Sequence, residues 1–246
     1  MIKSSGETYI FLLLLVCAGN CWANDVNLFG VRPAISQTGS ITDAIDYNFF
    51  ISTRVNLADV TVNGVENPVR DMLFYAQPSI VYKYSPQLSF AASYVFQRTN
   101  PFDREFSNEH RVFQQTVYSV PVFTGNFYQR ARFEERFIIN RNTDKAPLST
   151  RLRYMVGYNF PFQGKRLDSQ EFYFNIYNEF YFSTTGQRNA IYSENWLYAG
   201  IGYATRKKGN IEIGPLLITS VINDEGRKRN FLLLQILWSA NFDFFR

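Results

Sequence analysis

The segment that decides the fold is EFYFNIYNEFYFS, residues 171–183. Its even-numbered positions are almost all phenylalanine or isoleucine, and its odd-numbered positions are mostly tyrosine, asparagine and glutamate. Side chains on a β-strand point alternately to opposite faces, so this pattern predicts a strand with one apolar and one polar face. In a transmembrane barrel the apolar face meets lipid and the polar face lines the interior.

The same alternation recurs along the chain, in segments of the length that a tilted membrane-crossing strand requires. We therefore predict an all-β protein, an antiparallel transmembrane β-barrel of about ten strands. The predicted strands are 44–57, 71–84, 87–99, 107–120, 126–140, 149–161, 170–184, 193–206, 209–222 and 230–244. An earlier segment, 28–37, alternates Phe29, Val31 and Ile35 with Arg32 and Ser36, and with an unseen partner strand it would raise the number to twelve.

The connections between these strands alternate in length. Short turns such as Ser85-Pro86 and 207–209 alternate with longer polar segments such as 58–70 and 184–192. Bacterial outer-membrane barrels have short periplasmic turns and longer external loops. Ten strands would then leave both ends of the barrel on the periplasmic side, and an eleventh strand at 28–37 would break that parity.

The first residues resemble a secretory signal peptide. Lys3 precedes an apolar run at 10–19, and the small residues Cys21 and Ala23 suit signal peptidase, so we expect cleavage after Ala23. A run of about ten residues is too short to span a membrane. A lipoprotein signal with Cys21 acylated is the alternative, but Asn20 stands where a small residue is needed. The domains are then a signal peptide at 1–23, an N-terminal segment at 24–43 and an outer-membrane barrel at 44–246.

Composition excludes several classes of function. Both cysteines lie in the predicted leader, and His110 is the single histidine, so disulfides, thiol catalysis and most zinc sites are not expected. The net charge of +4 comes from mixed rather than clustered charges, which argues against a nucleic-acid partner. Aromatic residues make up 17% of the chain, which is typical of a lipid-facing band with aromatic girdles. We expect no cofactor and no bound metal.

A water-soluble β-sandwich or a lipocalin-like barrel would also alternate. The polar faces carry many Glu, Arg, Asn and Gln residues, however, where a water-soluble barrel would point apolar side chains inward. The chain also ends on the aromatic alternation 242–245, like the last strands of outer-membrane barrels. We therefore expect a Gram-negative outer-membrane location, with membrane lipids and the barrel-insertion machinery, through the C-terminal strand, as partners. The sequence leaves the oligomeric state open.

Two predicted strands depart from the pattern. In 107–120, Glu109, Arg111 and Gln115 share a face with Phe113, so the alternation is weak. In 126–140, Glu135 falls on the apolar face, where a charge would be costly at the middle of a bilayer. A β-bulge at Glu134-Glu135 would move that carboxylate to the other face.

A stripe of charge on the polar faces is the strongest candidate for a functional site. Four consecutive strands project it into one interior, where opposite charges can pair across strands. Its members are Glu109, Arg111, Arg130, Arg132, Glu134, Arg136, Arg151, Arg153, Glu171 and Glu179. We expect a hydrogen-bonded plug that leaves the interior mostly occluded and makes the barrel structural, with at most a narrow solute path. The alternative is a porin-like pore or site selective for small anions.

Two weaker motifs point to other chemistry. His110 with Ser107 would suit a lipid hydrolase at the rim, but a catalytic triad needs further members, so we expect no enzyme and assign no catalytic residue. Gly200 and Gly202 would suit a phosphate loop only before a helix, which is not evident. We expect these glycines to make room for neighbouring side chains.

Several stretches resemble a family of predicted bacterial outer-membrane proteins, domain of unknown function family 2490. The residues that carry the resemblance are 109–111 with 113–115, 130–136, 152–154, 178–180, and 194–195 with Gly200 and 202–203. The resemblance spans most of the chain after the leader. It implies an outer-membrane barrel and no catalytic residues.

Overall fold

The computed structural model describes residues 26–57, 60–62, 65–67, 72–104, 106–139, 145–164, 167–186, 191–206, 209–221 and 226–241. The predicted signal peptide at 1–23 and the terminal aromatic alternation at 242–245 lie outside the described residues. The described part contains no helix with the length and apolar character that a membrane crossing requires.

The described residues form thirteen β-strands. They are β1 (Val26–Ser40), β2 (Ile45–Asn56), β3 (Val60–Val62), β4 (Val65–Asn67), β5 (Met72–Lys83), β6 (Leu88–Thr99), β7 (Ser107–Val122), β8 (Gly125–Ile138), β9 (Leu148–Pro161), β10 (Glu171–Ser183), β11 (Tyr192–Ala204), β12 (Asn210–Val221) and β13 (Lys228–Asn241). Strands β3 and β4 pair only with each other, as a short hairpin within the connection between β2 and β5.

The other eleven strands form a closed barrel in which each strand pairs with its neighbours in the chain. All of these pairs are antiparallel except the one that closes the barrel, where β1 runs parallel to β13. The prediction of an all-β barrel is confirmed, and the number of strands falls between the predicted ten and twelve. The difference arises from β1, which occupies most of the segment 24–43.

Because the barrel has an odd number of strands, the start of its first strand and the end of its last strand lie at opposite ends of the barrel. Val26 pairs with Arg229 near the start of β13, so β1 begins at the end of the barrel that carries the connection 222–227. Asn241, the last residue of β13, lies at the opposite end, with turns such as 84–87 and 123–124. The expectation that both chain ends lie on one side, which followed from ten strands, is therefore wrong.

The two faces of the wall differ as the alternation predicts. Phe172, Ile213 and Leu234 point outward and are 43 to 51% exposed, and many other large apolar side chains are exposed on the same face. Arg132, Arg153 and Glu179 point inward and are buried. The β-bulge hypothesised at Glu134-Glu135 is absent: β8 keeps a continuous register with β7 and β9 there. Glu135 therefore lies on the outer face, near the end of β8.

Candidate functional site

The charged stripe lies on four neighbouring strands, β7 to β10, and its side chains meet inside the barrel. The register places Arg132 directly opposite Arg153, and Arg111 directly opposite Arg136. Like charges in such positions repel one another. The carboxylates of the stripe lie between these arginines. Glu134 is the direct partner of Arg151 and bonds to it, and the other arginines reach the carboxylates along diagonals.

Glu134 is the centre of this network and is fully buried. Its Oε2 accepts a hydrogen bond from Arg151 Nε at 2.8 Å, and its Oε1 accepts one from Arg153 Nη1 at 2.9 Å. Arg111 Nη1 lies 3.3 Å from Oε1, and Arg132 Nη1 lies 3.6 Å from the same oxygen. One carboxylate thus contacts four guanidinium groups, which offsets part of the cost of burying its charge.

Glu179 forms the second carboxylate position of the network, on β10. Arg153 donates to both of its oxygens, from Nε to Oε1 at 3.0 Å and from Nη2 to Oε2 at 2.7 Å. Arg130 Nη2 lies 2.7 Å from Oε1, and the Tyr181 hydroxyl donates to Oε2 at 3.1 Å. Arg153 therefore links Glu134 on β8 to Glu179 on β10, and with Arg111 on β7 the network extends across four strands.

Glu109 anchors the network at the end of the barrel with the longer loops. Arg111 Nη2 lies 2.7 Å from its Oε1, and Arg136 donates to both oxygens, at 2.6 and 2.9 Å. Arg132 differs from the other arginines because its nearest partners are neutral. It donates twice to Gln115 Oε1, at 3.1 and 2.8 Å, and its guanidinium lies 3.8 Å from the centre of the Phe113 ring.

Glu171 does not belong to the network, in contrast to the grouping made from the sequence. It lies at the first position of β10, at the other end of the barrel from Glu109. Its two oxygens accept hydrogen bonds from the backbone N–H groups of Gln163 and Asp168, each at 2.9 Å. Its carboxylate holds the turn before β10 in place.

Two interior residues were missed in the sequence. Arg32 on β1 donates to the side chains of Gln235 and Ser52, and its guanidinium lies 5.1 Å from the Trp196 ring. Glu212 on β12 is buried and accepts hydrogen bonds from Asn175. The alternation at 28–37 placed Arg32 on a polar face, but only the closure of the barrel shows that this face looks inward.

The interior contains a cavity with a volume of about 760 Å³. Its lining includes Arg229 and Ser220 near one end of the barrel, and Asn48 and Ser239 near the other, so the cavity follows most of the length of the strands. Among the described residues, nine arginines and three glutamates line it. They are Arg32, Arg54, Arg111, Arg130, Arg132, Arg136, Arg151, Arg153, Arg229, Glu179, Glu194 and Glu212.

The walls of the cavity differ in chemistry. Strands β7 to β10 supply the arginine–glutamate network. The opposite wall, from β13 through β1 and β2 to β6, supplies mainly neutral polar side chains, including Ser36, Asn48, Gln77, Gln97 and Gln235, together with Arg32, Arg54 and Arg229. The open space therefore lies between the arginine–glutamate network and a wall of polar side chains that contains three arginines but no carboxylate of the lining.

The structure does not bring together the residues of the His110 motif. His110 lies on the outer face, where its Nδ1 shares a hydrogen bond with the Tyr94 hydroxyl and its ring packs against Phe96. Ser107 lies on the opposite face of the same strand, three residues away, so the structure does not bring the two together. Within the described residues, no group of three or more His, Cys, Asp or Glu side chains is arranged to hold a metal ion.

Gly200 and Gly202 face inward and leave space for tyrosine rings. A Cβ atom on Gly202 would lie 2.1 Å from Cζ of Tyr173, and one on Gly200 would lie 2.0 Å from the Tyr198 hydroxyl oxygen. Such distances are far inside van der Waals contact. The expectation that these glycines make room for neighbouring side chains agrees with this packing.

A family model described as "Protein of unknown function (DUF2490)" matches residues 34–229. The chain belongs to the DUF2490 family. No curated protein and no solved structure matches the chain. The matched span of this DUF2490 protein contains all ten residues of the predicted stripe, Glu212 and most of the cavity wall. Arg32 and the inward-facing side chains of β13 from Phe231 onward lie outside the span.

Proposed function

We propose that this DUF2490 protein is an outer-membrane barrel whose interior is a narrow passage with a preference for small anions. The proposal has two parts: the location in the membrane and the chemistry of the passage. In this proposal the chain is exported by the signal peptide at 1–23, inserted through its C-terminal strand and surrounded by lipid.

The location rests on the distribution of side chains between the two faces. The outer face exposes phenylalanine, isoleucine and leucine around the whole barrel, and the interior holds the charges. Water-soluble monomers rarely expose apolar patches larger than a few hundred Å². The barrel strands have between 12 and 16 residues, enough for a tilted strand to cross the apolar band of an outer membrane.

The excess of arginine along the cavity is the observation that supports the passage. Counting the buried Glu109 and Glu134 beside the three glutamates of the lining, nine arginines face five carboxylates, so the interior has a net positive charge. Arg32 and Arg132 have neutral amides as their closest partners. A low-dielectric channel lined by one sign of charge attracts ions of the other sign.

The size of the barrel limits the passage to small solutes. Barrels of about eight strands are filled by side chains, and those of about sixteen enclose an open channel. With eleven strands and the arginine–glutamate network against one wall, the remaining space is narrow. The proposal assigns no catalytic step, because His110 and Ser107 lie on opposite faces of their strand.

Single-channel recording of the purified protein in a planar bilayer tests the proposal. We expect a small conductance, and a reversal potential in a KCl gradient that indicates preference for chloride. Arg130→Glu should lower or reverse this preference, because Arg130 faces the cavity and is partly exposed. Arg98→Glu is the matched control, since the Arg98 guanidinium lies over Phe106 and outside the cavity lining.

Three outcomes would contradict the proposal. Absence of any conductance would favour a purely structural barrel with a plugged interior. A preference for potassium would contradict the role of the arginines. An equal effect of Arg98→Glu and Arg130→Glu would show that the interior charge does not determine selectivity.

A further inference from the structure

Glu212 differs from the other interior carboxylates because its partners are neutral side chains: Asn175, Tyr173 and Tyr198. The Asn175 amide nitrogen donates to both of its oxygens, at 3.2 and 3.1 Å. Among the described residues, no lysine or arginine forms an ion pair with it, whereas Glu109, Glu134 and Glu179 each contact at least two arginines. A carboxylate that is 5% exposed and lacks a cation is costly to bury.

The surroundings of Glu212 fix its position from three strands. The Tyr128 hydroxyl donates to Asn175 Oδ1 at 2.7 Å, so that β8, β10 and β12 are joined through Tyr128, Asn175 and Glu212. A Cβ atom at Gly157 would lie 2.3 Å from Tyr128 Cζ, so glycine is needed there to seat the ring. All three side chains line the cavity. We call them the Glu212 group.

The strand register relates the Glu212 group to two arginines of the cavity lining, Arg130 and Arg32. Arg130 is on the same face of β8 as Tyr128, two residues further along, which is about 7 Å. On the other side, Glu212 pairs with Leu237 of β13, and Gln235, two residues before Leu237, accepts a hydrogen bond from Arg32. The lining of the cavity therefore includes the Glu212 carboxylate together with the guanidinium groups of Arg32 and Arg130.

We propose that the cavity binds small zwitterions that carry both an ammonium and a carboxylate group, of the size of an amino acid or a dipeptide. The ammonium group contacts Glu212, and the carboxylate contacts Arg32 and Arg130. The proposal rests on the proposed function, since the site lies in the same passage, and it names the class of solute.

The arrangement of charge favours a zwitterion over a simple ion. A simple cation that reached Glu212 would have to pass the excess of arginines, whose field repels it. A simple anion would satisfy Arg32 and Arg130 but would leave the Glu212 carboxylate without a cation. A molecule with both groups meets both requirements, and guanidinium groups suit carboxylates in particular.

Calorimetric titration of the purified full chain in detergent tests this inference, with three probes of similar size. Glycylglycine carries both charges, N-acetylglycine carries the negative charge alone, and glycine N-ethylamide carries the positive charge alone. We expect glycylglycine to bind at least tenfold more tightly than either of the others. Equal affinity for glycylglycine and N-acetylglycine would overturn the proposal.

Substitutions then locate the site. Glu212→Gln should reduce the affinity for glycylglycine to that for N-acetylglycine, and Arg32→Gln should weaken the binding of both. Glu194→Gln is the matched control, because Glu194 lines the same cavity but bonds to the Trp196 indole away from the Glu212 group. An equal loss in the Glu194 and Glu212 variants would contradict the assignment. Tyr128→Phe, which keeps the ring, should cause a smaller loss of the same kind.

The two proposals fail in different ways. Titration in detergent needs no conduction, so specific glycylglycine binding without conductance would support the site and overturn the passage. Anion-selective conductance without preference for glycylglycine would retain the passage and overturn the zwitterion site.

Discussion

Arg153 and Glu179 form a two-bond ion pair inside the barrel, with Nε and Nη2 of the arginine on the two oxygens of the glutamate. The planar guanidinium is what allows both bonds to form at once. The remaining nitrogen of Arg153 reaches Glu134, so the same group holds two carboxylates apart at fixed positions.

This geometry predicts that lysine cannot replace Arg153. Lysine keeps the charge but cannot donate to both oxygens of Glu179 at once. Arg153→Lys should therefore lower the free energy of unfolding by about 1.5–3 kcal/mol, the value of a hydrogen bond to a charged group. Urea unfolding in detergent, followed by tryptophan fluorescence, measures it. Arg130→Lys is the comparison, because Arg130 makes one bond and is partly exposed, and should cost less. Equal losses of free energy in the Arg153→Lys and Arg130→Lys variants would show that the two-bond geometry of Arg153 does not contribute to stability.

We expect substitution of Glu134 to lower the free energy of unfolding more than substitution of Arg153 does. Glu134→Gln would leave four buried arginines without their shared carboxylate, and we expect a loss of about 3–5 kcal/mol in the free energy of unfolding. The neighbouring substitution Glu135→Gln, on the outer face of the same strand, should change it by about 0.5 kcal/mol or less. If the two variants unfold at the same urea concentration, the network does not stabilise the barrel.

Two asparagines on the outer face form a hydrogen-bonded pair, and substituting them tests how a polar pair on this face affects stability in lipid. Asn178 and Asn195 face outward, are buried by their neighbours and bond to each other at 2.6 Å. Asn195→Leu alone should cost about 1–3 kcal/mol, because the buried Asn178 amide oxygen loses its donor. Asn178→Leu should cost less, because Asn195 Nδ2 still donates to the backbone carbonyl of Glu179 at 3.0 Å. The double variant should recover most of the loss in lipid vesicles. Additive losses would argue against the pair.

Two exposed phenylalanines test the location and orientation of the barrel. Phe102 and Phe123 are 89 and 80% exposed and lie at opposite ends of the barrel. If the longer loops face the outside, a membrane-impermeant maleimide should label Phe102→Cys on intact cells and Phe123→Cys only after the outer membrane is permeabilised. Labelling of both or of Phe123→Cys alone would contradict the proposed orientation.

The sequence predicts the class of fold because the alternation of Phe172, Phe174 and Phe180 with Glu179 and its neighbours is a local property. It also predicts most of the ionic network, because Arg132, Arg153 and Glu134 lie on strands that are adjacent in the chain. Neighbouring strands in a barrel are usually adjacent in sequence, so these contacts need no long-range information.

The rest depends on how the barrel closes. The partner of Arg32 is Gln235, at the other end of the chain, and no local pattern indicates this contact. The direction in which β1 meets β13 is likewise a property of the closed sheet. Glu171 was grouped with the wrong residues because alternation gives the face of a side chain but not its level along the barrel.

Because β1 and β13 are parallel, we expect their pairing to be the least stable strand pairing of the barrel. Parallel pairs have slanted hydrogen bonds and are slightly less stable per residue than antiparallel pairs. Side-chain hydrogen bonds also join the two strands: Arg32 donates to Gln235, and Asn230 donates to Asn27 at 3.0 Å. Backbone amides of β1 and β13 should therefore exchange with deuterium faster than those of β8 and β9. We expect a barrel that opens to separate there first, and the start of β1 and the end of β13 would then be released at opposite ends of the barrel.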